Sequence, residues 1–110
     1  MARIGKWHAS VEEAKATPVP EGRRSARIMQ HGSMSVLWYA PKGVDEQVPH
    51  DQDEVYVVMS GHGTFKRNDE RVRFGPGDVL FAGAGEEHRF EEFSDDFATW
   101  VIFYGPIGGE

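Results

Sequence analysis

The chain has 110 residues, and 18 Asp and Glu outweigh 12 Lys and Arg to give a formal net charge of −6. This length predicts a single domain. The acidic excess argues against nucleic acid as a partner, because phosphate binding requires a basic face. The absence of Cys excludes disulfides and thiolate metal sites.

Membrane insertion is also not expected. No run of apolar residues reaches the length that a membrane span needs, and the first seven residues lack the apolar core of a signal peptide. We therefore expect a soluble cytoplasmic protein without a membrane partner.

Residues 1–24 are predicted to form an N-terminal arm with a short helix. Ser10 and Glu13 have capping-box spacing, and Pro18 and Pro20 limit the helix to one or two turns. Trp7 either covers one end of the core or packs on a partner subunit. The body of the domain is expected at residues 25–105, followed by a tail at 106–110 that frays.

Short apolar stretches separated by Gly, Pro, Asn and Asp turns predict eight strands. Such spacing is typical of an all-β fold, here a single-domain jelly-roll barrel with room for one small ligand. The predicted strands are 26–30, 34–40, 54–59, 64–67, 71–74, 79–82, 88–91 and 97–104.

The third predicted strand carries polar residues on the face that should be buried. Residues two apart share a face, so His50, Gln52 and Glu54 project inward if Tyr56 and Val58 belong to the core. A buried imidazole and carboxylate are costly unless something pairs with them, and a divalent metal ion is the usual partner.

A third candidate ligand, His88, opens a later strand after a Gly-rich turn. His50, Glu54 and His88 form a set of two imidazoles and one carboxylate that suits iron, manganese, nickel or zinc. The alternative is a hydrogen-bonded polar cluster without metal. Either Glu87 or Glu92 could orient the imidazole of His88.

Aromatic residues on the ligand face are candidates for a pocket wall. Tyr56 and Phe90 share that face, and Gln52 is a polar group expected nearby. The remaining histidines lie in the N-terminal arm or in Gly-flanked turns and are expected to be exposed: His8, His31 and His62.

The two ligand-bearing stretches resemble the two motifs of the cupin superfamily. His50 and Glu54 are separated by the three residues of the first motif, and Glu54 and Gly61 by its six. In the second motif, Gly77, Gly85 and His88 fall where the family has Gly, Gly and His. The resemblance spans about residues 35–104 and implies a small conserved-barrel cupin.

The motifs also depart from the family pattern. Val48 stands where the family has its first metal-binding His, Gly83 replaces a Pro and Glu92 replaces an Asn. The resemblance therefore implies three protein ligands instead of four. Gln47 or Gln52 could fill a position through its side-chain carbonyl.

A site of three ligands with an open coordination position favours a metal-dependent enzyme acting on a small molecule, such as an oxygenase or isomerase, although cupin barrels host many chemistries. No catalytic residue beyond the ligands is identified. The alternatives are a module that binds or senses a small ligand without turnover, and a metal-free structural barrel. The resemblance also implies a homodimer, with residues 97–104 and the N-terminal arm as contributors.

Overall fold

The computed structural model describes residues 6–110 and confirms the all-β fold with one short helix. All eight predicted strands are present, with bounds that differ by at most two residues from those predicted. The elements are α1 (Val11–Ala16), β1 (Ala26–His31), β2 (Met34–Tyr39), β3 (Asp53–Ser60), β4 (Gly63–Arg67), β5 (Glu70–Phe74), β6 (Val79–Ala82), β7 (His88–Glu91) and β8 (Ala98–Tyr104).

The N-terminal helix forms as its capping pattern predicts. The hydroxyl of Ser10 accepts a hydrogen bond of 3.1 Å from the amide of Glu13. Trp7 does not cover the core, because 81% of its surface is exposed. Packing of the arm on a partner subunit stays a prediction, and residues 1–5 of the arm lie outside the described residues.

The strands form two antiparallel sheets that face each other. One has the order β1-β2-β8-β3-β6 and the other the order β5-β4-β7, and their ladders do not close into a single ring. Aromatic rings fill the space between the sheets. Phe90, for example, packs edge-on against Tyr56 with ring centroids 4.9 Å apart, and lies 4.7 Å from Phe97. The sheets therefore share one core.

The five-stranded sheet is apolar on its outer side as well. Part of this side is covered by α1, where Ala14 packs with Trp38 and Ala26. The remainder, which we name the outer apolar face, is partly or largely exposed, with Val79 65% exposed. Its members alternate with inward residues along β3, β6 and β8: Val55, Val57, Val79, Phe81 and Ile102.

β8 lies in the interior of the five-stranded sheet. This strand pairs with β2 on one side and with β3 on the other. Its backbone groups are therefore paired within the sheet and offer no free edge to a second chain. The contribution of residues 97–104 to a homodimer stays a prediction.

In the part of the chain that the structure describes, no helix is long and apolar enough to cross a membrane.

Candidate metal centre

Glu54 lies at the centre of a buried polar cluster. The alternation of β3 turns Glu54, Tyr56 and Val58 inward, and Glu54 is only 1% exposed. Its Oε1 atom lies 3.1 Å from Nδ1 of the partly exposed His50 and also contacts Nε2 of His88. The structure thus brings together the three residues that the sequence singled out.

The ring of His88 is oriented by the main chain. Its Nδ1 atom lies 2.9 Å from the carbonyl oxygen of Glu86, to which it donates a hydrogen bond. The carboxylate of Glu87 pairs instead with Lys66 at the surface. With the proton on Nδ1, the lone pair of Nε2 faces Glu54.

This arrangement opposes two acceptors in a buried space. Within residues 6–110, neither His88 Nε2 nor Glu54 Oε2 has a hydrogen-bond partner. Ligand atoms of His50, Glu54 and His88 all lie within 4.8 Å of one another, close enough for small side-chain shifts to bring all three to bonding distance of one ion. A cation would satisfy the orphaned atoms, so the residues present fit a divalent metal ion.

The pKa values of the pair follow from burial and mutual contact. Burial raises the pKa of Glu54, but its contacts with the imidazoles of His50 and His88 outweigh burial and lower the pKa below its ordinary value. Burial lowers the pKa of His88, but the contact with Glu54 outweighs it and raises the pKa. A proton and a metal ion therefore compete for the same imidazole nitrogen.

A cavity of about 250 Å³ opens beside the cluster. The buried Glu54 marks its closed end, and the partly exposed His50 also lines it. The mostly exposed residues 22–25, which join α1 to β1, mark its mouth. Its walls are largely apolar and come from the inner faces of β2 and β8, with Leu37, Val101 and Phe103. The volume suits a small organic molecule.

Asp45 organises the polar residues of this cavity from a loop. It is 5% exposed, and its carboxylate accepts hydrogen bonds from the Tyr39 hydroxyl, from Nε2 of Gln47 at 2.6 Å and from the amide of Phe90 at 2.8 Å. The amide oxygen of Gln47 accepts in turn from the Tyr56 hydroxyl at 3.2 Å. Tyr39, Gln47 and Tyr56 are thus held within one network.

The two buried hydroxyls of this network are poor proton donors to solvent. Burial, together with the carboxylate of Asp45, raises the pKa of Tyr39 far above its ordinary value. Burial, together with the charge of Glu54, does the same to the pKa of Tyr56. Both hydroxyls stay protonated at neutral pH.

Not all residues expected at the pocket line the cavity. Tyr56 does, and so does Gln47. Gln52 does not, because β3 begins only at Asp53 and the strand alternation does not extend to it. Its side-chain amide donates to the carbonyl oxygens of Ser33 and Gly105, at 3.0 and 2.9 Å.

Two further residues lie away from the cavity. Phe90 is buried in the aromatic core between the sheets. Val48, at the position of the family's first histidine, is largely exposed and does not line the cavity.

The loop that carries His50 is held by distant main-chain groups. The carbonyl of His50 accepts a hydrogen bond from the amide of Gly85, and that of Asp51 accepts one from Gly108, each at 2.7 Å. The amide of Glu110 donates to the carboxylate of Asp53 at 3.0 Å. The main chain of Gly108 and Glu110 is thus bonded to the body of the domain, and fraying of the tail stays a prediction.

Several residues of the cavity are not identified by the sequence patterns. Asp45 lies in a predicted loop, Tyr39 in an ordinary predicted strand, and Arg23 and Arg24 in the predicted arm. A loop residue has no periodicity that reports the direction of its side chain, so no sequence signal could have found Asp45. Tyr39 could have been found from the alternation of β2, which turns it inward with Leu37.

Two facing antiparallel sheets with a His–Glu–His cluster between them define a small β-barrel protein with a candidate metal centre. The model of the cupin domain family matches residues 35–104. This chain therefore belongs to the cupin family.

Individual relatives are similar along most of the chain. An uncharacterised protein of Streptomyces coelicolor is 32% identical over 98 residues, which cover 87% of this chain and 93% of the relative. A Cupin 2 conserved barrel domain protein from Salinispora arenicola has a TM-score of 0.68 at 17% identity, with 94% and 91% of the two chains covered. A Thermotoga maritima protein, named a predicted oxalate decarboxylase, has a TM-score of 0.55 at 22% identity, with 72% and 76% covered.

Proposed function

We propose that this cupin binds a divalent metal ion through His50, Glu54 and His88 and acts on a small molecule held in the adjoining cavity. The observation that carries the proposal is the convergence of three ligand atoms beside that cavity, which His50 and Glu54 line. Iron, manganese, nickel and zinc all suit the donor set, which does not separate them.

The reaction class we propose is that of an oxygenase or isomerase. A bound divalent ion would polarise an oxygen atom of the substrate or, if redox-active, engage dioxygen. The chain itself supplies a buried carboxylate at Glu54 and an apolar part of the cavity wall at Leu37, Val101 and Phe103. The Thermotoga maritima structure is only 22% identical to this chain, so the resemblance supports a shared fold and not a shared reaction.

The second candidate is a metal-containing module that binds a small ligand without turnover. It is favoured by the internal hydrogen bonds of Tyr39, Gln47 and Tyr56, which leave these groups unable to act as acid or base near neutral pH. A ligand that binds tightly and is recovered chemically unchanged would support this function over the enzymatic one.

The first experiment measures metal content. The chain is purified without chelator or affinity-column metal, beside His50→Ala/His88→Ala and a control, His31→Ala/His62→Ala, which removes two exposed histidines. We expect near-stoichiometric metal in the wild type and the control and its loss in the site variant. Equal metal in all three, or none in any, contradicts the proposed function.

Turnover is then tested with the metal found bound to the wild-type protein. A loaded sample is offered small-molecule substrates with and without dioxygen, and products are followed by mass spectrometry. Activity that His88→Ala retains in full would exclude the proposed metal chemistry, because His88 supplies one of the three ligands.

We also infer that the protein is a homodimer that pairs through the outer apolar face. Single exposed apolar residues are ordinary, but five neighbours on one sheet are typical of a protein interface. Two copies of a flat apolar sheet can pack face to face about 10 Å apart.

A further inference from the structure

Two arginines of this chain differ from the rest in their contacts. Arg23 and Arg24 form no ion pair and no side-chain hydrogen bond with any residue from 6 to 110. Every other arginine in that range has such a partner: Arg27, Arg67, Arg71, Arg73 and Arg89. The chain has 18 Asp and Glu, so carboxylates are not scarce. The lack of a partner therefore reflects the surroundings of these two arginines.

Both arginines line the mouth of the cavity beside the candidate metal centre. They precede β1 in the segment that leads from α1, and their side chains are exposed. Burial and the Asp45 carboxylate raise the pKa of Tyr39, and the nearby charge of Arg24 opposes them. Arg24 is thus near enough to Tyr39, which lines the cavity, for its positive charge to act on that hydroxyl.

Several neutral side-chain hydrogen-bond donors of the cavity are already engaged. The hydroxyls of Tyr39 and Tyr56 donate to Asp45 and Gln47, and the amide group of Gln47 donates to Asp45. The guanidinium groups at the mouth are charged donors that have no partner among residues 6–110. A guanidinium has five N–H donors and no acceptor, so it binds groups that offer only lone pairs.

We propose that Arg23 and Arg24 select a small organic anion, with its carboxylate or phosphate group at the mouth and its apolar body against Leu37, Val101 and Phe103. This inference deepens the proposed function and rests on it. The planar fork of a guanidinium matches both kinds of oxyanion through paired hydrogen bonds.

The charges at the two ends of the cavity fit this class of ligand. Glu54 alone would repel an anion from the closed end, but a divalent ion beside it makes that end net positive. The two arginines attract the anion at the open end. An anion therefore meets attraction along the whole cavity only when the metal centre is filled.

The test uses three matched probes: benzoate, its neutral analogue benzamide, and phenyl phosphate. Their binding to zinc-supplemented protein is measured by NMR titration, and the zinc content of each sample is measured in parallel. Arg24→Ala and Arg23→Ala/Arg24→Ala are compared with Arg27→Ala, whose arginine is also exposed but bonds to Gln30. Circular dichroism verifies that each variant is folded.

We expect benzoate to bind the wild type at least about tenfold more tightly than benzamide, and Arg24→Ala to remove most of that difference. Arg27→Ala should leave it unchanged, and Arg24→Lys should restore it only in part, since lysine keeps the charge without the fork. Tighter binding of phenyl phosphate than of benzoate would identify the oxyanion as a phosphate.

Equal affinity for benzoate and benzamide, no saturable binding of either anion, or an Arg24→Ala variant that behaves as wild type would overturn the inference. Zinc bound at full occupancy in those same samples would leave the proposed function standing. Conversely, a wild type that takes up neither zinc nor, when these are supplied instead, iron, manganese or nickel overturns the proposed function. An anion preference that Arg24→Ala removes would still support the arginine site.

Discussion

The carboxylate of Asp45 accepts a hydrogen bond of 2.8 Å from the main-chain amide of Phe90. A loop that precedes β3 is thereby fastened to β7 on the opposite sheet. The same carboxylate accepts from Tyr39 on the five-stranded sheet, so one buried side chain bridges both sheets next to the cavity.

Replacement of Asp45 should lower the free energy of unfolding, although its neighbours in the loop are exposed. Asp45→Ala leaves the Phe90 amide and the Tyr39 hydroxyl without their acceptor, and we expect a loss of about 3 kcal/mol in the free energy of unfolding. Urea denaturation measures it. Glu46→Ala, at the exposed neighbouring position, should change stability by less than about 0.5 kcal/mol. Similar losses in the two variants would contradict this role for Asp45.

Gly61, which follows β3, should tolerate no side chain. Its φ is +81°, and an added Cβ would lie 2.7 Å from the amide nitrogen of Phe97 and would also strike its Cα. Gly77 has a similar φ of +89° but open space around it. Gly61→Ala should therefore be less stable than Gly77→Ala by about 2 kcal/mol, because both are strained but only one clashes with backbone.

Thermal and urea unfolding of this pair of glycine variants would measure the difference. Equal stabilities would mean that the chain near Phe97 yields easily, and that the left-handed backbone alone explains the glycine.

Glu54→Gln should separate metal binding from folding. The new amide can donate to Nε2 of His88, and the variant buries no charge, so in the presence of EDTA it should be at least as stable as the wild type. Zinc at about 100 times its dissociation constant should stabilise the wild type by about 2.7 kcal/mol and the variant much less.

The matched control for this experiment is Glu87→Gln, which alters an exposed carboxylate next to His88 in the chain. It should keep the full gain from zinc. A Glu54→Gln variant that gains as much stability from zinc as the wild type would show that zinc binds elsewhere.

Alkaline pH should unfold the protein when its buried tyrosines ionise. The pKa values of Tyr39 and Tyr56 are raised in the folded state, so their contribution to stability is complete below the ordinary value of about 10 and is lost as the pH rises above it. We expect the tyrosinate absorbance of both to appear together with the loss of near-ultraviolet circular dichroism.

Tyr104→Phe provides the control and should leave that coupled transition in place. Ionisation of all three tyrosines while the circular dichroism stays constant would refute the prediction, since it would mean that solvent reaches Tyr39 and Tyr56 in the folded protein.

A charge on the outer apolar face should dissociate the proposed homodimer. Phe81→Glu places a carboxylate at its partly exposed edge, on β6, and sedimentation velocity should show a shift from dimer to monomer. Val72→Glu changes an exposed apolar residue of the other sheet and should not shift it. A wild type that sediments as a monomer at micromolar concentration, or a Phe81→Glu dimer, would contradict the interface.

Strand alternation explains why part of this site could be predicted from the sequence. Glu54, Tyr56 and Val58 face inward as a period of two requires, and His88 opens its strand with the same alternation. Ahead of β3 no strand sets the direction of the side chains, and there His50 reaches Glu54 but Gln52 does not line the cavity. Gln52 precedes β3 by one residue, and its amide turns away to main-chain acceptors.

Phe90 shows a second limit of sequence patterns. It shares the inward face of β7 with His88, but it lies two residues further along the strand, where that face contacts the aromatic core instead of the site. Alternation reports the side of a sheet and not the depth along it. The roles of Asp45 and of the arginines at the mouth could not be predicted for a different reason. These residues lie in loops, and loop conformation depends on contacts distant in sequence.

The loop that bears His50 has a consequence for how the centre would load. Its carbonyls are tied to Gly85 and Gly108, and Gln52 is tied to two further segments. These bonds hold the ligand's main chain in place on their own. The fold would then be complete before an ion binds, and the ion would not be needed to order the loop. Metal uptake should therefore be rapid and leave the far-ultraviolet circular dichroism spectrum unchanged.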